Sequence, residues 1–362
     1  MQRYRAAVKK QCRYDLHVVA ASAEESAAEL RTRISAFYEK EKISGVFLIG
    51  GFEFARFENA IGERSIFPEY FQDLDGEIRD TNGDGVLDHY DPWVKPGPAL
   101  ELWLATFRPY SEAPDGADAA AQVIRILERG VDALGARLTP KDKKQRAATI
   151  LSSRDWQNHS ELLAALKRRY SGRIAQFGRG ESTPDHYKTA VQTSSELLIA
   201  FLHSSPKAHH LDAPSGPAGL VIASASKTQT KDAASGSVAL DQLTPRARMV
   251  LLFACSALDL DELPLPNEPF LANAYLLAPD SACRTVVGAA RSIGLESLPL
   301  LLRSLGDAEL PFPDAWRAYQ NQLYDQAYLE HWLGVRGVWE AERLRFNWSY
   351  MLYGDPFARF DP

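Results

Sequence analysis

The chain predicts an α/β fold: a mostly parallel sheet flanked by helices and arranged as two side-by-side subdomains. Two apolar runs and one rhythm carry that expectation. Met249–Phe253 is five apolar residues in succession, and Leu197–Leu202 is a second run of the same kind. Strands read this way when helices cover both faces of their sheet. Elsewhere, stretches of strand character alternate with stretches of helical character, the pattern of successive βαβ units.

Taken in order, Met1–Arg13 has helical character and Asp15–Ala20 (DLHVVA) reads as a strand. Ala23–Lys40 is rich in helix formers, with Ala27, Leu30, Ile34 and Phe37 at helical spacing, and Ser22 is placed to cap it. Gly45–Ile49 is the next strand and Glu101–Phe107 another. Ala117–Leu138 is an amphipathic helix whose stripe is Val123, Ile126, Leu127, Val131 and Leu134. The charged TPKDKKQ that follows marks a boundary between a smaller N-terminal α/β subdomain, 1–139, and a larger second subdomain, 140–362.

Beyond it the rhythm repeats: Ala147–Leu151 strand, Ser160–Tyr170 helix, Arg173–Phe177 strand, Pro184–Gln192 helix. Lys207–Leu243, rich in Ala, Ser, Pro and Gly, reads as a mobile segment over a cleft with a short strand or hairpin inside it. A helix over Pro269–Leu277, a strand over Arg284–Ala289 and a helix over Leu298–Leu305 follow. Trp316, Tyr319, Tyr324 and their aromatic neighbours read as core, and Gly354, Asp355 and Pro356 as a turn into a final short strand.

At 362 residues, 45% hydrophobic and 24% charged, the chain has the composition of a globular protein with a sizeable core. A net charge of −6 argues against nucleic acid as a partner, and no stretch approaches the length of apolar sequence that spans a membrane. The N-terminus has no apolar leader core, which reads as cytoplasmic; export is the alternative if the N-terminus is trimmed. Cys12, Cys255 and Cys283 form neither a disulfide framework nor a metal-ligand spacing.

The chemistry gathers where two buried strands stop. The run ending RMVLLFACS delivers Cys255 to a carboxyl end, and the run ending LLIAFLHSSP delivers His203 to another. Ligands bind outside the carboxyl ends of strands in open α/β sheets, and an imidazole within reach of a thiol holds it as the attacking thiolate. The bland alternative is that Cys255 is a small core hydrophobe. His209 and His210 are rival bases, but they lie beyond Pro206 and off the strand end.

A second site lies in the acidic stretch Asp73–Asp91. Asp80, Asn82, Asp84, Val86, Asp88 and Asp91 follow the opening spacing of a calcium loop, with Gly85 at its sixth position. The bidentate glutamate of an EF-hand is missing, since Asp91 stands in its place. Calcium held here would pin the loop; the same residues also build ordinary turns.

These stretches together resemble the gingipain-type cysteine peptidases of clan CD, family C25. FLHSSP and VLLFACS match the family's catalytic strand ends. GVFLIGG, PEYFQDLDGEIRDTNGDGVLD, ANAYLLAPDSACRTVVGAARSIG and YMLYGDPFARF agree with four further stretches in the family's order. The resemblance implies a caspase-haemoglobinase-like sheet and a cysteine endopeptidase acting on a protein or peptide, with cleavage after a basic residue. It also implies an oxyanion hole built from the amides of Cys255 and of the residue after His203. That residue is normally Gly and here is Ser204, which would be strained if the site needs φ > 0. The rival readings are a catalytically inactive, peptidase-shaped binding or regulatory module, and a calcium-stabilised scaffold within a longer multidomain protein.

Overall fold

Unbroken burial decides the central strands. Every residue of Ser195–Phe201 and all but Arg248 of Ala247–Phe253 are buried, so both faces of these segments are packed, as their apolar runs require. The computed structural model describes residues 1–22, 24–59, 62–110, 117–135, 147–153, 160–178, 182–213, 216–224, 237–260, 270–290, 311–332 and 350–357.

Its strands in chain order are β1 (Gly45–Ile49), β2 (Arg56–Glu58), β3 (Arg64–Ile66), β4 (Glu77–Arg79), β5 (His89–Asp91), β6 (Trp103–Phe107), β7 (Ala148–Ser152) and β8 (Ile174–Phe177). They continue as β9 (Ser195–Phe201), β10 (His203–Ser204), β11 (Ala208–Ala213), β12 (Gly216–Ile222), β13 (Val238–Ala239), β14 (Ala247–Phe253), β15 (Thr285–Ala289) and β16 (Tyr350–Gly354). Eight of them form one sheet in the order β1-β6-β16-β15-β14-β9-β7-β8. All neighbours are parallel except β15 and β16, so the first three strands run opposite to the other five. Helices flank this mostly parallel sheet, which is the caspase-like arrangement. The expected boundary after residue 139 falls within 136–146, outside the described residues.

Several expectations are corrected. Asp15–Ala20 forms no strand: β1 pairs only with β6, and Val18 and Val19 are exposed. The segment instead lines a cavity of about 580 Å³ together with β1 and the helix Ala27–Glu41. A short apolar run becomes a strand only where a ladder partner waits. That helix begins four residues later than expected, because Ser26 and Glu29 form a reciprocal capping box that Ser22 cannot match. Lys207–Leu243 is not a loose segment where it is described. β10 to β13 form a four-stranded sheet that buries Leu211, Val221 and Val238 in the main core. A strand runs up to and includes Gly354, ahead of the expected turn, and the stretch after residue 357 lies outside the described residues. Leu298–Leu305 lies outside the described residues.

The chain's ends meet in the core. The Tyr4 hydroxyl of the helix Gln2–Cys12 donates to Asp355 Oδ1 at 2.6 Å, just past β16. Gly354 holds φ at +100°, and a Cβ there would stand 2.4 Å from the Arg284 carbonyl oxygen, so only glycine fits. Trp316, Tyr319 and Tyr324 are buried, as their helical spacing predicts. Among the described residues no helix is long and apolar enough to cross a membrane.

Candidate active site

β9 and β14 are parallel neighbours, and their last residues, Phe201 and Phe253, are register partners. The two rings stack with centroids 5.2 Å apart. The Leu202 amide donates to the Phe253 carbonyl at 3.3 Å, extending the ladder by one step. His203 and Cys255 therefore each stand two residues past a matched pair, where two adjacent chains leave the same rim of the sheet. Adjacent strands lie about 4.8 Å apart, so the register sets the two segments side by side.

Beyond Phe253 the chain turns sharply through 254–258. Ser256 takes a left-handed backbone, φ 51°, and the turn is pinned by bonds from the Leu258 amide to Ala289 and from the Asp259 amide to Ser256. Cys255 is half-buried at this turn, whereas Cys283 is sealed in the core. Burial pushes the Cys283 thiol up to about 12, so it stays protonated in the core.

His203 does not simply end β9. It opens β10, which pairs antiparallel with β11 so that His203 faces His210 and Ser204 faces His209. Side chains alternate across a strand, and the pairs divide accordingly. His203 and His210 are exposed, while His209 is fully buried. The His209 Nδ1 meets Ser204 Oγ at 2.5 Å, its Nε2 meets the Tyr275 hydroxyl at 3.3 Å, and Tyr275 meets Tyr187 at 2.6 Å. Burial, with a smaller push from His210, lowers His209 to about 3, so its ring is neutral and structural. Sequence reasoning missed this network, although two residues five apart across a hairpin could have pointed to it.

Ser204 is not among the described residues with positive φ. The strain that a serine in glycine's place would bring is therefore absent, and the left-handed residue of the site is Ser256. Tyr350, at the start of β16, is buried as the aromatic residues of the last third were read; its hydroxyl has no hydrogen bond to another described residue, and its ring lies 5.7 Å from that of Phe253. Of the carboxylates that follow Cys255 in the sequence, Asp259 is buried, and Asp261 and Glu262 lie outside the described residues.

The acidic loop forms the tip of the hairpin β4–β5, in which Glu77 pairs with Asp91. Asp80 gathers the amides of Gly83 at 2.6 Å and Gly85 at 2.8 Å, and Asn82 and Asp84 accept from the amides of Asp84 and Val86. Asp88 accepts from the Thr81 amide and hydroxyl, each at 2.7 Å, which hold its carboxyl below the usual range. Asp91 accepts from the Trp93 amide, and Arg64 reaches Asp84 at 2.6 Å. Among the described residues the carboxylates of this loop do not converge as a group of three metal ligands, and the bonds they make are those of a self-bonded turn.

The architecture is a caspase-like fold, the fold of the solved cysteine proteinases this chain resembles. The particular likeness is to gingipain R. The complex of Porphyromonas gingivalis RgpB pro- and mature domains matches with a TM-score of 0.62 at 14% identity, over 99% of this chain and 76% of that one. The Arg-specific cysteine proteinase gingipain R matches with a TM-score of 0.55 at 15% identity, over 98% and 74%. A further protease structure matches with a TM-score of 0.60 at 13% identity, over 98% and 76%. No protein-family model and no curated protein matches the sequence.

Proposed function

We propose that the chain is a cysteine endopeptidase working through Cys255 and His203. His203 takes the thiol proton, and the thiolate attacks the scissile carbonyl carbon. The carbonyl electron pair moves to oxygen, where the amides of Cys255 and Ser204 donate to it. Collapse expels the amine, which leaves with the proton from His203. Water then attacks the thioester, gives its proton to His203, and frees the acid and the thiol.

The observation that carries this reading is the Phe201–Phe253 register, from which both segments emerge at one rim. The anchoring of Ser204 by His209 supports an amide held in one orientation. Likeness to an Arg-specific proteinase supports cleavage after a basic residue. Calcium held by Asp80, Asn82, Asp84 and Asp88 and the Val86 carbonyl belongs to the same reading as a structural pin, on the loop's spacing alone. Turnover of a peptide library tests it: Cys255→Ala and His203→Ala should each lower cleavage by roughly 10³-fold or more.

One observation favours a binding module instead: Ser204 stands where the family's glycine would, with its side chain committed to His209. Retention of library peptides by the wild type without any cleavage would establish that reading over the first.

A further inference from the structure

The hairpin that opens at His203 is fastened to the core at two points. Its turn is closed by reciprocal bonds between the main chains of Ser205 and Ala208, at 2.9 and 3.3 Å. The Pro206 carbonyl in that turn accepts at 2.9 Å from the amide of Leu271, the first residue of the helix Leu271–Leu277. The second fastening is the contact between Ser204 Oγ and His209 Nδ1 at 2.5 Å. The His209 ring is wholly buried and packs against the rings of Tyr187 and Tyr275, with centroids 5.9 and 6.1 Å away.

The ladder decides which way the Ser204 amide is directed. Ser205 and Ala208 exchange both of their bonds, so the next pair along, Ser204 with His209, exchanges none. The N–H of Ser204 therefore points away from β11. β10 is the first strand of its sheet, so no strand of that sheet lies on the open side. Two residues earlier, the Leu202 amide donates to Phe253 of β14, the strand that leads into Cys255. No ladder bond holds the Ser204 N–H, and the grip on this residue is through its side chain.

We infer that His209 is a positioning residue: by holding Ser204 Oγ, it keeps the Ser204 amide aimed at the carbonyl oxygen of a peptide bound at Cys255. The inference rests on the reading of Cys255 and His203 as a peptidase dyad. A hydrogen-bond donor stabilises an oxyanion only if it is already oriented, and a displacement of ~1 Å costs on the order of 100-fold in rate. Glycine after the histidine has no side chain for the core to grip, whereas Ser204 has one. Burial, with a smaller push from His210, keeps the His209 ring neutral, so it offers one donor and one acceptor nitrogen. One of them meets Ser204 and the other meets the Tyr275 hydroxyl at 3.3 Å.

Two substitutions separate the two nitrogens. His209→Asn keeps a polar atom near the place of Nδ1, within reach of Ser204, and gives up Tyr275. His209→Gln keeps one near the place of Nε2 and gives up Ser204. With a library peptide that the wild type cleaves, kcat should fall roughly 10–100-fold in His209→Gln, with KM changed less than about threefold, and should be largely retained in His209→Asn. Ser204→Ala cuts the same bond from the other side while leaving the amide in the chain, and should lower kcat as much; it also serves if changes at the buried ring prevent folding. Combining Ser204→Ala with His209→Gln should be no slower than either alone. Iodoacetamide should label Cys255 at the wild-type rate in every variant, because that rate reports the thiol and His203 and not the oxyanion. Equal losses of kcat in His209→Asn and His209→Gln, additive losses in the double variant, or full kcat in Ser204→Ala overturn the inference and leave the peptidase reading standing. A wild type that cleaves no library peptide overturns that reading, and the inference with it.

Discussion

Ser204 Oγ and His209 Nδ1 are hydrogen-bonded across the pair β10–β11, which couples the residue after His203 to a buried, neutral imidazole. The imidazole is backed by Tyr275 and, through it, by Tyr187, and His210 adds to the effect of burial.

Acid should therefore unfold this protein partly through His209. Its folded value of about 3 lies below the ordinary 6.5, so as pH falls the unfolded chain takes up the proton first. The stability is present above about pH 6.5 and is lost as pH drops toward 3. Between pH 7 and 4.5 the loss should be about 2–3 kcal/mol, read by urea denaturation. His209→Gln should flatten that slope; an unchanged slope would refute the assignment.

The thiols should separate by reactivity. Near neutral pH, iodoacetamide should label Cys255 and leave Cys283 unmodified, because Cys283 is buried and its thiol is pushed up to about 12. Cys255→Ala should remove the fastest phase seen by mass spectrometry, whereas rapid labelling of Cys283 would contradict the packing.

The left-handed backbone at Ser256 should make the turn at Cys255 sensitive to side-chain shape. Ser256→Val should cost about 1–2 kcal/mol and Ser256→Gly less than about 1 kcal/mol, measured by chemical denaturation. Equal costs would mean that the conformation is not retained in solution.

Cutting the link between the chain's ends should loosen the first helix. Tyr4→Phe removes the hydroxyl that donates to the buried Asp355 Oδ1, leaving it the Phe357 amide alone, and should cost about 0.5–1.5 kcal/mol. Hydrogen exchange should speed up across Gln2–Cys12 before it does so in β14. Unchanged protection there would show that packing alone holds the helix.

Much of the core was legible because its signal is local. Met249–Phe253 and Leu197–Leu202 lie on both-face-buried strands, and a run of apolar side chains needs no partner to be recognised. Helices with their own caps, such as Pro184–Gln192 behind Thr183, were equally plain. DLHVVA misled for the opposite reason, since a strand exists only where another offers it a ladder. The sheet of β10 to β13 was under-read because its buried positions are spread among Ala, Ser, Pro and Gly.

The candidate site divides along the same line. Sequence alone picked out Cys255 and His203 as the ends of buried runs, together with the oxygen spacing of the 80–91 loop. Tertiary structure alone decided that Phe201 and Phe253 share a register, that the left-handed residue is Ser256 and not Ser204, and that His209 lies in the core. It alone brought Tyr275 to His209. Periodicity reports which face of an element is buried, but which elements become neighbours is set by packing between residues far apart in the chain.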